Sequence, residues 1–528
     1  MTGTPLVDFI VVGGGSAGCV AAGVLADGGA SVTLIERGPS ADEHPAVLRA
    51  DGYKDAFVDD GVFLERFSEP QAKAGKQRIF MGTGGVLGGS GAINAMVYTR
   101  GAREDFAEWP VGWRWDDLVP HFEALEARLR LNRKAPTKFT EACVSAAEEV
   151  GFRRSEDFHD GHLGNAIGYE WMNFEGPDRR NGYVAFVRGR KEIDVRTHTR
   201  VLRVVIENGR AVGVEVEKQG RRETLRARRE VILSAGALES PRILLLSGIG
   251  PGAALSSLGI SVVADRAQVG ENLHDHPNVP TFHHAKLEVD FFAPQLYSFF
   301  RTRQESPLPP GQSDSCYVFW PARSAMKEAT QRVLPGQVLP PRLYGPAGKK
   351  VIRGAIAAAF ALPPVQRFVD HLFGVIVILG KPRSRGTLTL RSADPLAPAR
   401  LDPRYLSHPD DLDTLVQGVS VARRITKAKG LADAGARELM PGPFVKSRDA
   451  IARYVEKNLI TTYHFAGTCR MGTDEASVVD TSLRVRGIEG LRVADASVMP
   501  TTPVSALNAP SMMIGLRAAR AALEESKT

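Results

Sequence analysis

One histidine and one asparagine near the end of the chain lie in segments whose residue types could support proton transfer. His464 stands in TTYHFAGTCRMG, between the aromatic Tyr463 and Phe465, and Asn508 stands in SALNAPSMMIG. Imidazole titrates near neutral pH, and apolar surroundings shift its pKa across the working range of an enzyme. Local sequence leaves two interpretations of His464 open, a general base and a structural histidine in the core.

Length and composition are those of an ordinary globular protein. A chain of 528 residues exceeds one simple core and predicts more than one folding unit. The net charge of +7 arises from 67 basic residues spread among 60 acidic ones, so we expect no nucleic-acid partner. The longest apolar stretch, 372–380, is too short for a bilayer, so we expect no transmembrane segment. Four distant cysteines without a CxxC pair predict reduced thiols and a cytoplasmic location.

The N-terminal residues carry a βαβ unit with a glycine fingerprint. An apolar run over 9–12 predicts a buried strand, and GGGSAG then leads into a helical pattern and a second strand that reaches Glu36. Gly13 would form the tight turn, Gly15 would admit a pyrophosphate, and Gly18 would allow close packing. Glu36 is placed to accept from a ribose hydroxyl, and its charge disfavours a 2′-phosphate. The unit predicts dinucleotide binding and leaves FAD and NAD both open.

Three further segments carry a resemblance to a known family. They are GGVLGGSGAINAMVYTRG, GALESPRILLLSGIGP, and the pair HFAGTCRMG and NAPSMMIG. Together with the fingerprint, they resemble the signatures of the glucose-methanol-choline (GMC) oxidoreductases, a family of FAD flavoproteins. The resemblance implies an α/β fold (α+β overall), in which a discontinuous Rossmann-like FAD-binding domain carries an inserted antiparallel-sheet substrate domain. The implied FAD domain covers 1–158, 195–280 and 458–528, and the substrate domain covers 159–194 and 281–457.

The resemblance also assigns roles to residues. His464 resembles the family's catalytic base, and Asn508 falls where relatives carry histidine or asparagine and could aim the substrate oxygen through its amide. These roles imply proton abstraction from an alcohol hydroxyl with hydride transfer to flavin N5. Ile93 stands where some relatives carry the histidine that attaches FAD covalently, so we expect non-covalent FAD. The implied FAD contacts are Gly13, Gly15, Ser16, Ala17, Gly18, Glu36, Gly88, Ser90, Asn94, Ala95, Met96, Val97, Val201, Ala235, Gly236, Tyr463, Asp495, Ala496, Asn508 and Ala509.

The inserted segment bears on the substrate. Prolines and aromatics between about 286 and 350, with few periodic stretches, predict a lid or channel over the pocket. Alternation over 374–395 predicts two antiparallel strands of the substrate-domain sheet. The aromatic residues favour a primary, apolar or aromatic alcohol as the substrate, with oxygen or another acceptor taking the electrons.

Other functions stay open or are disfavoured. A few family members are lyases that cleave cyanohydrins and keep FAD as a structural group, so a hydroxynitrile lyase is the main alternative. A flavin-binding protein without turnover is a second. His274 and His276 in ENLHDHP resemble a metal pair, but their spacing matches no common zinc pattern, so we expect no metal. The order of Gly89, Ser90 and Gly91 is not that of a serine hydrolase elbow.

Overall fold

Two large sheets with different residue patterns organise the chain. The computed structural model describes residues 6–303, 305–340 and 342–525. In chain order, the strands are β1 Val7–Val12, β2 Val32–Ile35, β3 Phe63–Leu64, β4 Thr83–Gly84, β5 Val97–Tyr98, β6 Arg153–Arg154, β7 Ala166–Tyr169, β8 Trp171–Met172, β9 Phe174–Glu175, β10 Asp178–Arg179, β11 Ile193–Arg196, β12 Arg200–Glu207, β13 Arg210–Lys218, β14 Arg221–Leu233, β15 Ile249–Gly250, β16 Ala264–Asp265, β17 Pro277–His284, β18 Leu296–Phe300, β19 Ser315–Pro321, β20 Leu372–Leu379, β21 Thr387–Thr389, β22 Arg400–Asp402, β23 Arg437–Met440, β24 Ile460–Thr461 and β25 Leu491–Val493.

The helices cover both sheets. They are α1 Ser16–Asp27, α2 Tyr53–Val58, α3 Ser90–Ile93, α4 Trp115–Leu129, α5 Lys138–Glu149, α6 Gly182–Phe186, α7 Ser240–Leu246, α8 Gly252–Ser257, α9 Ala322–Val338, α10 Pro346–Phe360, α11 Pro363–Asp370, α12 Pro409–Lys427, α13 Lys429–Asp433, α14 Arg448–Asn458 and α15 Asn508–Glu525. Short 3₁₀ turns occupy Ala41–Glu43, Pro45–Leu48, Arg103–Phe106 and Ala496–Val498. Among the described helices, none combines the length and apolar character needed to cross a bilayer.

The first sheet is parallel where it meets the fingerprint. Its parallel part has the order β11-β2-β1-β14-β25, and β12 and β13 form an antiparallel hairpin against the first half of β14. β2 and most of β1 are buried apolar runs, as expected of strands with both sheet faces covered. Asn208 and Gly209 have φ values of 50° and 78° at the hairpin turn, the left-handed geometry that an Asn-Gly pair favours.

The second sheet is almost entirely antiparallel. Its order is β23-β17-β20-β19-β18-β7-β6, with β24 beside β17; among the described strands of this sheet, only β6 and β7 pair in parallel. Side chains of β20 alternate between two faces: Phe373, Val375 and Val377 belong to the core that also contains α12, whereas Ile376 and Ile378 line a cavity. The predicted fold class is confirmed, because a Rossmann-like parallel sheet and a separate antiparallel sheet are both present.

Two details of the inserted region differ from the sequence prediction. β20 and β21 were predicted to share one sheet, but β21 pairs only with β22 in a small two-stranded sheet. The segment 286–350 has more regular structure than its prolines indicate, since it contains β18, β19, α9 and the start of α10.

The predicted domain division stays a prediction. Residues 153–154, 277–280 and 460–461, predicted in the FAD domain, belong to strands of the second sheet.

Helices α1 and α15 pack against each other through their backbones. A Cβ atom added at Gly515 of α15 would lie 2.3 Å from the carbonyl oxygen of Ala17 in α1. No side chain can occupy that space without moving one helix, so the contact fixes the position of α15 beside the fingerprint helix.

We expect Gly515→Ala to lower the free energy of unfolding by roughly 1–3 kcal/mol, because the added methyl group overpacks a backbone contact. Thermal or urea unfolding of the purified protein measures the change. Gly354→Ala is the matched control, since its Cβ would meet nothing within 4 Å and alanine favours a helix over glycine by about 1 kcal/mol. Equal destabilisation by both substitutions would contradict the packing argument.

Candidate active site

A cavity of 830 Å³ connects the two sheets. Segments that leave the carboxyl ends of β1, β2, β14 and β25 line its first end, where open α/β sheets place their ligands. Residues of β17, β18, β19, β20 and α9 line its second end. We call these the cofactor end and the second-sheet end.

Most of the residues predicted to contact the cofactor come together at this cavity. Those that line it are Gly13, Gly15, Ser16, Ala17, Glu36, Ser90, Asn94, Ala95, Val97, Val201, Ala235, Gly236, Tyr463, Asp495, Ala496 and Asn508, together with His464. Gly18, Gly88, Met96 and Ala509 are buried and do not line it.

The fingerprint glycines form a cradle with open space at one position. Gly13 has a φ of 100°, and a Cβ there would lie 2.5 Å from the Ser234 carbonyl oxygen. A Cβ at Gly18 would lie 1.9 Å from the Gly13 carbonyl oxygen, so α1 starts in direct backbone contact with the turn. Gly15 differs, because its Cβ would meet only the Cα of Gly89, 3.9 Å away. The space above Gly15 therefore fits a pyrophosphate at the N-terminus of α1.

Glu36 presents a buried carboxylate at the end of β2. The backbone N–H groups of Gly14 and Gly38 donate to its two oxygens at 3.0 Å and 2.8 Å. Burial raises the pKa of Glu36, and the two N–H donors oppose that shift. Each oxygen keeps a lone pair that could accept from a ribose hydroxyl, so the geometry fits the predicted adenosine contact.

A buried arginine that no local sequence pattern indicated supports the glycine-rich segment around α3. The guanidinium of Arg179 donates to the side-chain and backbone oxygens of Asn94, both at 2.7 Å, and to the Gly91 carbonyl at 3.0 Å. Burial lowers the pKa of Arg179 to about 9. Met96, which follows Asn94, has a φ of 67°. Arg179 thus fixes the backbone between α3 and β5 without lining the cavity itself.

Asp495 holds the ends of β14 and β25 together. Its carboxylate accepts from the backbone N–H groups of Gly236 at 2.9 Å and Ser497 at 2.8 Å, and from the hydroxyl of Ser240 at 2.5 Å. Burial raises the pKa of Asp495, and these donors favour its ionised form. A carboxylate so restrained is a fixed acceptor at the cofactor end.

His464 forms one link in a chain of side chains that runs inward from the cavity. Its Nδ1 lies 3.0 Å from Nδ1 of His276, and the two rings are perpendicular, with an interplanar angle of 88°. Nε2 of His276 lies 2.9 Å from the hydroxyl of Thr502. Burial lowers the pKa of His464 to about 4 and also lowers the pKa of His276, where the neighbouring His464 adds to the effect. Both imidazoles are therefore neutral at physiological pH.

Two neutral imidazoles that share one hydrogen bond must adopt complementary tautomers. If Nδ1 of His464 carries the proton and donates to His276, then Nε2 of His464 is an unprotonated acceptor. His276 must in that case carry its proton on Nε2, which can donate to the Thr502 hydroxyl. The reverse assignment would leave a protonated Nε2 on His464, which could donate but could not accept a proton.

The buried carboxylate of Asp275 positions the His464 segment. It accepts from the His464 backbone N–H at 2.7 Å and from the hydroxyls of Thr461 and Tyr405. These contacts join three segments that lie far apart in the chain. Tyr463 has a φ of 63° and lies between Thr461 and His464. Because both of these residues donate to Asp275, the turn that orients His464 is fixed before and after Tyr463.

His274 and His276 have different partners. Nδ1 of His274 lies 2.7 Å from the carbonyl oxygen of Asn272, whereas His276 contacts His464 and Thr502. Within 6–303, 305–340 and 342–525, no group of three or more His, Cys, Asp or Glu residues could hold a metal ion. The adjacent Asp275 and His276 were visible in the sequence, but nothing local indicated that they contact His464.

Asn508 contacts the fingerprint helix α1 at the cofactor end. It is the first residue of α15, and its Oδ1 accepts from the Ser16 hydroxyl at 2.8 Å. Its Nδ2 is buried and has no hydrogen-bond partner among the described residues. Because Asn508 and Ser16 both line the cavity, this amide N–H is available to a bound ligand.

Known proteins resemble this chain over almost its whole length. Models of the N- and C-terminal GMC oxidoreductase domains match residues 7–278 and 382–515. An oxygen-dependent choline dehydrogenase of Rhizobium rhizogenes is 33% identical over 97% of this chain and 94% of that protein. An alcohol dehydrogenase [acceptor] of Pseudomonas putida is 32% identical over 97% and 95% of the two chains. The crystal structure of pyridoxine 4-oxidase from Mesorbium loti superposes with a TM-score of 0.82 at 26% identity, over 97% and 98%.

The matches to both family models extend through every segment that builds the cofactor end, from the fingerprint to α15. The chain therefore belongs to the GMC oxidoreductase family and is an FAD-dependent oxidoreductase that acts on the CH–OH group of donors.

Proposed function

We propose that this enzyme oxidises a primary, apolar or aromatic alcohol to the aldehyde, with His464 as the general base and FAD bound without a covalent link. The observation that carries the proposal is the neutral His464, buried in a cavity that joins the dinucleotide cradle to an apolar wall. The alcohol dehydrogenase [acceptor] of Pseudomonas putida, similar over nearly the whole chain, supports the alcohol as substrate class.

The side chains at the second-sheet end favour an uncharged substrate. That wall is built from Phe282, Tyr297, Val318, Trp320, Ile376 and Ile378, and α9 adds Met326, Val333 and Leu334. The carboxylates that line the cavity in the described chain are Glu36, Glu239 and Asp495, and all three follow strands of the first sheet. A quaternary ammonium group at the second-sheet end would lack a carboxylate partner. For this reason the proposal favours an uncharged alcohol over choline, the substrate in the name of the Rhizobium rhizogenes relative.

His464 can accept the hydroxyl proton of an alcohol through Nε2. In this tautomer Nδ1–H donates to His276, and Thr502 in turn accepts from His276. Burial keeps the imidazole unprotonated before the substrate arrives, so it need not first lose a proton to water. FAD, when bound, supplies the hydride acceptor. The residues of the cavity orient the carbinol carbon and exclude water from it.

The cofactor end offers a donor or an acceptor for each part of the proposed ligand. Gly15 and the start of α1 would receive the pyrophosphate, and Glu36 would accept from the ribose. Asn508 would donate through its unpartnered Nδ2. We assign it to holding the cofactor as well as to the predicted aiming of the substrate oxygen. Ile93, which lines the cavity, has no nucleophile that could attach the flavin.

A panel of alcohols tests the substrate class. Under anaerobic conditions, benzyl alcohol and medium-chain primary alcohols should bleach the flavin absorbance with a kcat/KM at least tenfold above that for choline. Admitting air and measuring peroxide then separates an oxidase from a dehydrogenase that needs another acceptor. Preferred reduction by choline would overturn the apolar assignment. Cleavage of a cyanohydrin with no bleaching by any alcohol would indicate a lyase.

His464→Ala should lower kcat by about 10²–10⁴, because the reaction loses its general base. The FAD content should stay unchanged, and acid precipitation should release the flavin into the supernatant in both the parent and the variant. His162→Ala is the control, since the side chain of this histidine is 65% exposed. Near-normal turnover of His464→Ala would contradict the assignment.

His276 provides a graded version of the same test. His276→Leu removes the acceptor for the Nδ1–H of His464 and should cost about tenfold in kcat, the value of one hydrogen bond between neutral groups. His276→Asn keeps an acceptor oxygen near that position and should recover most of the loss with little change in KM.

The pH dependence of kcat/KM should follow the lowered pKa of His464. Because the neutral imidazole is the active form and its pKa is about 4, kcat/KM should stay level from pH 8 down to about pH 5 and fall only as the pH approaches 4. A histidine with an ordinary pKa near 6.5 would already have lost about tenfold at pH 5.5. Steady-state kinetics between pH 4.5 and 8 distinguish the two, and an acid limb near pH 6.5 would mean that the base is solvated.

A further inference from the structure

The helices outside the cavity expose an unusual surface. α9 lines the cavity with Met326, Thr330 and Val333, and α10 and α11 pack against α9 from outside. On α10, the residues that face outward are mainly apolar. They include Ala347, Val351, Ala355, Ala358 and Ala359, and the exposed apolar surface continues through Leu362 to Phe368 of α11. We call this set of seven residues the outer patch.

The polarity of α10 departs from that of a helix on a water-exposed surface, although the apolar Ile356 is buried on its inward side. Its inward face carries Lys349 and Arg353, which form ion pairs with Glu65 and Asp60. Its outward face leaves Val351 70% exposed, and Leu362 beyond its end is 55% exposed. A helix in water normally turns its charged residues outward and its apolar residues toward the core. The outer patch therefore indicates a contact with a surface less polar than water.

The segment that carries the outer patch has charged residues of one sign only. From Ala329 to Val369 the sequence contains six Lys or Arg residues and no Asp or Glu. Three of the cationic residues, Arg342, Lys350 and Arg367, are exposed and have no ion-pair partner in the part of the chain that the structure describes. Apolar side chains rimmed by cationic ones suit the boundary between acyl chains and anionic headgroups.

We propose that the outer patch docks this enzyme on the surface of an anionic lipid bilayer. Val351, Leu362 and Phe368 enter the headgroup boundary, while Arg342, Lys350 and Arg367 contact lipid phosphates. A second copy of the chain fits this surface less well, because two outer patches face to face would bring six unpaired cations together. The docking rests on the outer surface alone. The role of docking in catalysis, in which an alcohol dissolved in the membrane enters past α9, rests on the proposed function.

Vesicle flotation tests the docking independently of catalysis. FAD-loaded enzyme is mixed with vesicles of phosphatidylcholine alone, or of phosphatidylcholine with phosphatidylglycerol, and the bound fraction is measured by flavin absorbance. We expect binding to the anionic vesicles at low salt, at least tenfold weaker binding to the neutral ones, and loss of binding at 0.5 M salt. Binding to neither kind of vesicle would overturn the proposal.

Substitutions locate the contact. Val351→Glu combined with Leu362→Glu should weaken vesicle binding at least tenfold, and Lys350→Gln or Arg367→Gln about fivefold each. Turnover of a water-soluble alcohol should not change in any of them. Val111→Glu is the matched control, because Val111 is 83% exposed and lies in a different segment. Equal vesicle binding by the Val351/Leu362 variant would overturn the assignment. So would a dimer in size-exclusion chromatography that the same variant dissociates.

Discussion

The close approach of backbone to backbone around α1 is the constraint on which the cofactor end depends. Gly18 brings the helix into contact with the Gly13 turn, and Gly515 brings α15 into contact with Ala17 on the other side. Because no side chain separates these elements, α1 can begin directly at the strand edge with its N-terminal N–H groups facing the cavity. Asn508 then reaches Ser16 from the start of α15. The site is thus assembled from the two ends of the described chain.

The features that the sequence predicts are those that depend on contacts between residues close together in the chain. The fingerprint is local, since β1, the glycine turn, α1 and β2 follow one another, and Gly13, Gly15 and Glu36 line the cavity. The roles of Asp275 and His276 depend on contacts with Thr461, His464 and Thr502, which no local pattern encodes. Arg179 also acts on a distant segment, and nothing in DRRNG distinguishes it from the surface arginines around it.

The errors in the inserted region have a similar physical origin. Alternation of apolar residues identifies a strand and its faces but not its partner, so β21 was wrongly joined to the sheet of β20. Between 286 and 350, prolines and aromatics suggested loops. Yet the neighbouring Leu296 and Tyr297 of β18 point to opposite faces, Leu296 into a core and Tyr297 to the cavity, as strand residues do. The polarity of α10 became apparent only when its ion pairs with Asp60 and Glu65 established which face is turned inward.

Because of the strand order in the first sheet, the flavin site can form only late in the synthesis of the chain. β14 lies between β1 and β25, and Leu233 pairs with Val493 only after the whole second sheet has been synthesised. During translation, the βαβ unit and β14 emerge early with one strand edge unpaired, and such an edge is open to unwanted pairing. Asp495 and Asn508 leave the ribosome later still. Binding of FAD at the complete site therefore cannot stabilise the nascent chain early in synthesis. The cofactor binds a polypeptide whose second sheet has already had time to fold.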